Sequence, residues 1–334
     1  MGLADEKDLS LRALEEARAC DVLYAELYTM KLSTTLATLS ELIRKPVILL
    51  HRGDLEDLSS QIVEEANTKR VGILVGGDCL SATTHISLVL EARQRNVETA
   101  IIHGSSIFSA IAETGLSIYK FGRTVTMPFP DKGSPDTVLR GIEENQSNGL
   151  HTLVLLDLDN ERNLYMAAQY AVQSLIDAGM SPDTLVVAVA RLGQPDSIIR
   201  AGKALEVASI DLGESPQSLV IPGSLHFLEE DALKALAGCP LGALKGRTVK
   251  PELDRLIEKY TLGCKRVREE MKLKQLPARL TEAKVIELLD HVDHYIADAD
   301  YYKADKKPTA LTSIAYAEGV LDALRLLGVA EFEW

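Results

Sequence analysis

Short, nearly continuous apolar runs punctuate the chain: PVILL at 46–50, VGILV at 71–75, TAII at 99–102, TLVLL at 152–156, TLVVAVA at 184–190 and SLVI at 218–221. They are rich in Val, Ile and Leu and lack the strict alternation of a strand with one wet face. They therefore predict strands covered on both sides. Between them lie segments of helical period, LSSQIVEEANTK (58–69), ISLVLEARQR (86–95) and YMAAQYAVQSLIDAG (165–179). In the second, Ile86, Leu90 and Ala92 are expected to point inward, with Glu91, Arg93 and Arg95 in water. The alternation of strand and helix predicts an α/β class with a largely parallel sheet, at least in the first part.

Two stretches read as joints. PFPDKGSPD (128–136) concentrates Pro, Gly, Asp and Ser after the first group of strands, and PLGALKGRTVKPEL (240–253) follows the last. Beyond it the strand-like runs stop. PELDRLIEKYTLGCKRVREEM, LTEAKVIELLDHVDHYIADADYY and LTSIAYAEGVLDALRLLG predict helices, the second capped by Thr281. The expected organisation is an α/β domain at 1–127, a second at 128–240 and a helical domain at 250–334.

Charge narrows the possible partners. The formal net charge is −13, and from Arg247 onward 15 basic residues face 16 acidic ones, so nearly all the excess lies in residues 1–246. An acidic body is not drawn to phosphate backbones, and no nucleic-acid partner is expected. No apolar run approaches the length that crosses a bilayer. The opening MGLADEKDLS lacks a basic-then-apolar signal pattern, as in a cytoplasmic protein. The four cysteines, 20, 79, 239 and 264, form no CxxC pair and read as reduced thiols.

Ligands of open α/β sheets collect at the carboxyl ends of strands. The loops there are GGDCLSATTH (76–85), HGSSIFSA (103–110), DLDNER (157–162), ARLGQPD (190–196) and PGSLH (222–226). None is a Walker motif or a complete GxGxxG fingerprint, and no GxSxG elbow or HExxH appears. Gly76 and Gly77 suit either a turn or a ligand lying against bare backbone. Asp78 suits a ligand or a helix cap, and Ser106 a site or an N-cap. His85 is a candidate base or a partly buried structural histidine. Lys120 and Arg123 of YKFGRTV suit a carboxylate ligand or a solvated surface. His291, His294 and Asp298 share a helical face at metal-compatible spacing, but no second cluster completes a coordination sphere, and no metal is expected.

Taken together, several segments resemble the archaeal diphthine synthases, a family within the tetrapyrrole-methylase class of S-adenosylmethionine-dependent methyltransferases. They are GLADEKDLSLRALEEARACDVLYAELYT (2–29), GGDCLSATTH, IIHGSSIFSAIAETGLSIYKFGRTVTMPF (101–129), GLHTLVLLDLD (149–159), TLVVAVARLGQPDSIIRAG (184–202) and SLVIPGSLHFLE (218–229). The resemblance implies two α/β domains with S-adenosyl-L-methionine in the cleft between them, in a homodimer. It implies cofactor contacts at Leu3, Asp78, Ser81, Ser106, Ile107, Leu156, Leu192 and Gln217. Cys79, Ser81, Leu192 and Gln217 depart from the family's usual residues. It also implies an apolar first strand ahead of Met1-Gly2-Leu3, which this sequence lacks. The implied acceptor is the amino group of a carboxy-aminopropyl histidine on translation elongation factor 2, trimethylated during diphthamide synthesis. Lys120 or Arg123 is then expected to hold the substrate, with His85 and His103 as weak candidates for a base. A tetrapyrrole or ribosomal RNA methyltransferase, or a non-catalytic scaffold acting through the tail, are the alternatives. The tail resembles a small archaeal helical domain of unknown function, and its partner is left open.

Overall fold

The computed structural model describes all residues except 57, 58, 161, 245–251, 275, 278 and 279. The chain divides into two compact units, Met1–Thr248 and Val249–Trp334.

The first unit is built on two sheets. β1 (Val22–Glu26) lies between β2 (Ile48–Leu50) and β3 (Val71–Leu74), all parallel, with Tyr24 opposite both Ile48 and Ile73. The second sheet begins with β4 (Val125–Met127) and β5 (Thr152–Leu156), which pair in parallel. A small hairpin, β6 (Leu158–Asp159) and β7 (Leu164–Tyr165), follows β5. β8 (Leu185–Ala190), β9 (Ile198–Lys203) and β10 (Gln217–Ile221) complete the sheet in the order β4-β5-β10-β8-β9, with β10 antiparallel to both neighbours.

The second sheet explains why its strands read as unbroken apolar runs. Along β8, Val186, Ala188 and Ala190 join a core with Ala171, Val172 and Leu175 of the helix Ala168–Asp177. Leu185, Val187 and Val189 face the other way, onto Leu233 and Ala237 of the helix Phe227–Ala237. Side chains alternate across a strand, so two helical layers require apolar residues at every position.

Three sequence expectations are corrected. TAII (99–102) joins no sheet, and Ile101 is 41% exposed. Among the described residues β3 pairs with β1 alone, and between its other edge and residues 97–102 lies an apolar slot of about 630 Å³. A strand needs a neighbour at ladder spacing, and this run has none. In the helix Ile86–Gln94, Ala92 is buried as expected, but Ile86 and Leu90 are exposed, and Leu88 and Val89 line the slot instead. PFPDKGSPD follows β4, already a strand of the second sheet, and leads into the helix Asp136–Ser147 that carries the chain over to β5. Its turn residues serve a crossover within the second half.

The second unit is helical, with helices Glu252–Glu270, Glu282–Tyr302 and Lys307–Leu326 and a two-residue ladder of β11 (Lys272–Leu273) with β12 (Ala330–Glu331). Thr281 caps the middle helix, its hydroxyl accepting from Lys284 N at 3.3 Å. Val285, Leu289, Val292, Ile296 and Ala299 form a stripe that packs on Ile314, Ala317, Leu321 and Leu324. Arg268 grips Asp293 at 2.9 and 3.0 Å, tying the first helix to the second. His291 stacks on Tyr295, and no convergence of three metal-binding side chains occurs among the described residues. No helix among the described residues is long and apolar enough to cross a membrane.

Candidate functional site

Within the first unit, the loops after β1 and β3 face the carboxyl ends of β5 and β8 and the start of β10 across a cleft of about 290 Å³. All eight positions named above, Leu3, Asp78, Ser81, Ser106, Ile107, Leu156, Leu192 and Gln217, lie on its wall. The larger apolar slot beside β3 contains none of them.

The double glycine holds the floor. Gly77 adopts φ +67°, a conformation L side chains avoid, and its backbone exchanges hydrogen bonds with Gly2 at 3.1 and 2.9 Å. A Cβ on neighbouring Gly104 would stand 2.8 Å from Gly77 O. The glycines therefore bring three backbone segments together and leave the wall beside Asp78 unshielded. Asp8 fixes Leu3 there, its Oδ2 accepting from Leu3 N and Ala4 N at 2.9 and 2.7 Å.

Several polar wall residues spend their hydrogen bonds on the protein. Asp78 Oδ1 accepts from Leu80 N and the Ser81 hydroxyl at 3.1 Å each, and Oδ2 meets His103 Nδ1 at 2.7 Å and Gly104 N at 3.2 Å. Burial alone would raise its pKa, but these bonds outweigh burial and hold it below the usual carboxylate range. Ser106 caps the short helix Ile107–Ala110, its Oγ accepting from Phe108 N. Gln217 Oε1 accepts from Ala168 N at 2.8 Å, and its Nε2 donates to Gly213 O at 2.6 Å. What these residues offer the cleft is shape, backbone and a fixed negative charge.

Among the wall residues that the sequence reading did not single out are Tyr28, Arg52, Asp157 and Arg191, the last two within candidate loops. The Tyr28 loop is set by Glu26, a fully buried carboxylate that accepts from Tyr28 N, Thr29 N and Thr29 Oγ1 at 3.2, 3.1 and 2.6 Å. Lys31, three residues on, pairs with Glu214 at 2.7 Å, joining the loop to the second half. Arg191 ends β8 at φ +53°, strained for a non-glycine residue. Its buried guanidinium compensates by donating to Asp196 Oδ2 at 2.6 Å and to the carbonyls of Leu212 and Glu214. In the sequence, ELYT (26–29) and RLG (191–193) carry this signal only as turn chemistry.

Lys120, Arg123, His85 and His103 are not among the cleft's lining residues. Lys120 Nζ lies 2.5 Å from both Glu229 Oε2 and Ser224 O. Glu229 Oε1 reaches the fully buried His151 Nε2 at 3.0 Å, while His151 Nδ1 accepts from Gly223 N. Burial pushes the Glu229 pKa up, but His226 N, Lys120, Ser117 N and His151 hold it down at about 2. Burial lowers the His151 pKa, only partly offset by Glu229. Lys120 thus belongs to a structural cluster that ties together residues more than a hundred apart in sequence, outside the cleft's lining. Arg123 meets Glu144 at 3.8 Å on the surface. His85 borders the slot, its buried Nδ1 without a hydrogen-bond partner among the described residues. His103 reaches the site only through Asp78.

Known proteins place this architecture. The profile of the Tetrapyrrole (Corrin/Porphyrin) Methylases matches residues 1–208, and that of a protein family of unknown function, DUF357, matches residues 259–330. A diphthine synthase of Methanocella arvoryzae is 42% identical over 252 residues, covering 72% of this chain and 98% of the relative. One of Methanocaldococcus jannaschii is 38% identical over 247 residues, covering 71% and 96%. A crystal structure of diphthine synthase superposes with a TM-score of 0.68 at 37% identity, over 72% of this chain and 94% of that one. The chain belongs to the tetrapyrrole methylases, and within them to the diphthine synthase family of methyltransferases, with a DUF357 region at its carboxyl end.

Proposed function

We propose that this protein transfers methyl groups from S-adenosylmethionine to the amino group of a carboxy-aminopropyl histidine on translation elongation factor 2, giving the trimethylated intermediate of diphthamide synthesis. The observation that carries this reading is the gathering of eight positions, from Leu3 to Gln217, on the wall of one cleft. The cleft's surfaces fit the methyl donor. Ile107, Leu156, Val189 and Leu192 provide apolar surface for a purine, and the Gly76–Gly77 backbone is open to close approach. Asp78 and Asp157 place negative potential beside a cationic sulfonium.

When bound, S-adenosylmethionine supplies a methyl group on an excellent leaving group, so little acid–base chemistry is asked of the protein. The chain's part is to hold the acceptor amine in line and to keep water from the apolar side of the cleft. The ordered Asp78 loop and the Tyr28 loop, braced by Glu26 and Lys31, make rigid walls for that task. No histidine is among the described lining residues, so water at the cleft mouth takes the proton each amine loses. The working form in this reading is a cytoplasmic homodimer, which sedimentation of the full chain checks.

The test is to incubate the full chain with methyl-labelled donor and elongation factor 2 bearing the carboxy-aminopropyl histidine. Mass spectrometry of the modified peptide is expected to show stepwise gain of methyl groups up to the trimethyl form. Donor binding without any label on the factor would overturn the assigned acceptor.

A further inference from the structure

Asp78 brings a buried negative charge to the cleft wall, and most of what holds it cannot change charge. Leu80 N and Gly104 N are peptide groups, and Ser81 offers a hydroxyl. His103 differs from all three. A carboxylate only accepts, so the 2.7 Å contact with Asp78 Oδ2 makes His103 Nδ1 the donor and leaves Nε2 to take up a proton. The His103 side chain is 73% exposed, against 10% for Asp78. The pair thus couples a ring open to solvent protons to a carboxylate sheltered from them. With the ring neutral, Asp78 presents its whole charge to the cleft. With the ring protonated, an imidazolium 2.7 Å away offsets that charge.

The other charged and titratable groups around the pair do not duplicate this response. Asp8 accepts from Leu3 N and Ala4 N, and Glu26 from the Tyr28 loop. Asp157 on the cleft wall pairs with Lys132 at 3.1 Å, and the guanidinium groups of Arg52 and Arg191 stay charged. Burial pushes the Cys79 thiol up, so it stays neutral. The Met1 α-amino group lies against Val75 O and Gly77 O, its pKa lowered by burial; whatever proton it gains in acid it gains in a His103 variant too. S-adenosylmethionine carries two cationic centres, the sulfonium and the α-ammonium of its methionyl end. We propose that His103 is a positioning residue for the donor: it holds the Asp78 carboxylate in the cleft wall and, by its own protonation, sets how strongly that wall attracts a cationic centre. The inference rests on the methyltransferase reading of the site.

Calorimetric titration of the full chain, His103→Asn and Asp78→Asn at about pH 8 and about pH 5.5 tests this, with S-adenosylmethionine, S-adenosylhomocysteine and 5′-methylthioadenosine as ligands. The last has neither cationic centre. His103→Asn keeps an N–H donor at the Nδ1 position and removes the titration. In the unsubstituted chain, acidification is expected to weaken S-adenosylmethionine about three- to tenfold relative to 5′-methylthioadenosine. S-adenosylhomocysteine follows it if the ammonium meets Asp78, and stays with 5′-methylthioadenosine if the sulfonium does; either result supports the proposal. His103→Asn should hold the affinity seen at the higher pH at both values, and Asp78→Asn should lose the preference for cationic ligands at both. No shift in the unsubstituted chain, the same shift in either variant, or equal weakening of all three ligands overturns the assignment to His103. Failure of the unsubstituted chain to bind S-adenosylhomocysteine at the higher pH overturns the methyl-donor reading, and this proposal with it.

Discussion

The two sheets of the first unit are made of similar residues and have different fates. β8 and β10 bury every side chain, between two helical layers. β2 and β3, no less apolar in sequence, are only partly covered: Ile48 is 49% and Leu49 36% exposed, and β3 borders an open slot. Apolar composition sets what a strand could bury; its neighbours decide what it does bury. Stability is therefore concentrated in the second half, and the cleft is walled by one firm half and one lightly covered half.

Substitutions can break or sharpen that contrast. The largest effect is expected from Glu229→Ala, which strands Lys120 and His151 inside the second half. Breaking a buried ion pair costs about 3–5 kcal/mol, to be read from urea unfolding followed by far-ultraviolet circular dichroism. Next comes Leu219→Ala at the centre of β10, expected to cost about 2–5 kcal/mol, set against Leu49→Ala in β2 at under about 1 kcal/mol. Equal losses would mean that the two halves share one cooperative core.

Acid is expected to act on the second half in two stages. His151 has a lowered folded pKa, so the unfolded chain binds its proton first, and stability falls as pH drops below the ordinary 6.5. Glu229, held at about 2 against 4.5, contributes above pH 4.5 and loses that contribution as pH falls toward 2, about 3 kcal/mol in all. Denaturant midpoints measured from pH 7 to 3 should fall throughout, and His151→Gln should flatten the upper part. The smallest effect is expected from Arg123→Glu, which should leave both the unfolding midpoint and the affinity for S-adenosylhomocysteine within error, since its guanidinium pairs with an exposed carboxylate at 3.8 Å.

Much of this fold was legible because its signals are local. Five of the six apolar runs contribute strands, and the cap at Thr281 needed only the next three residues. TAII failed because a strand requires a partner that local pattern does not supply. β9, IIRAGK, was passed over because Arg200 and Gly202 interrupt its apolar character. The site divides in the same way. The eight resemblance positions fall together because aligned segments preserve their order. The pairing of Lys120 with Glu229 was not legible, because the two lie 109 residues apart and charge at that separation leaves no pattern. Arg52 was not singled out because HRGDLED reads as a polar turn, and the Tyr28 ring beside it belongs to another strand's loop.

The uncovered edge of β3 also bears on how the protein behaves in a crowded tube. VGILV is short, apolar and uncharged, and among the described residues its strand, Val71–Leu74, has no ladder partner on the edge away from β1. Only Arg70 before it and Asp78 beyond the glycines act as gatekeepers against such pairing. On warming, clumping should start at this rim rather than in the better-covered second half, and its onset should come earlier at higher protein concentration. Ile73→Lys, which puts a charge in the middle of this strand, should delay turbidity even as it loosens the fold.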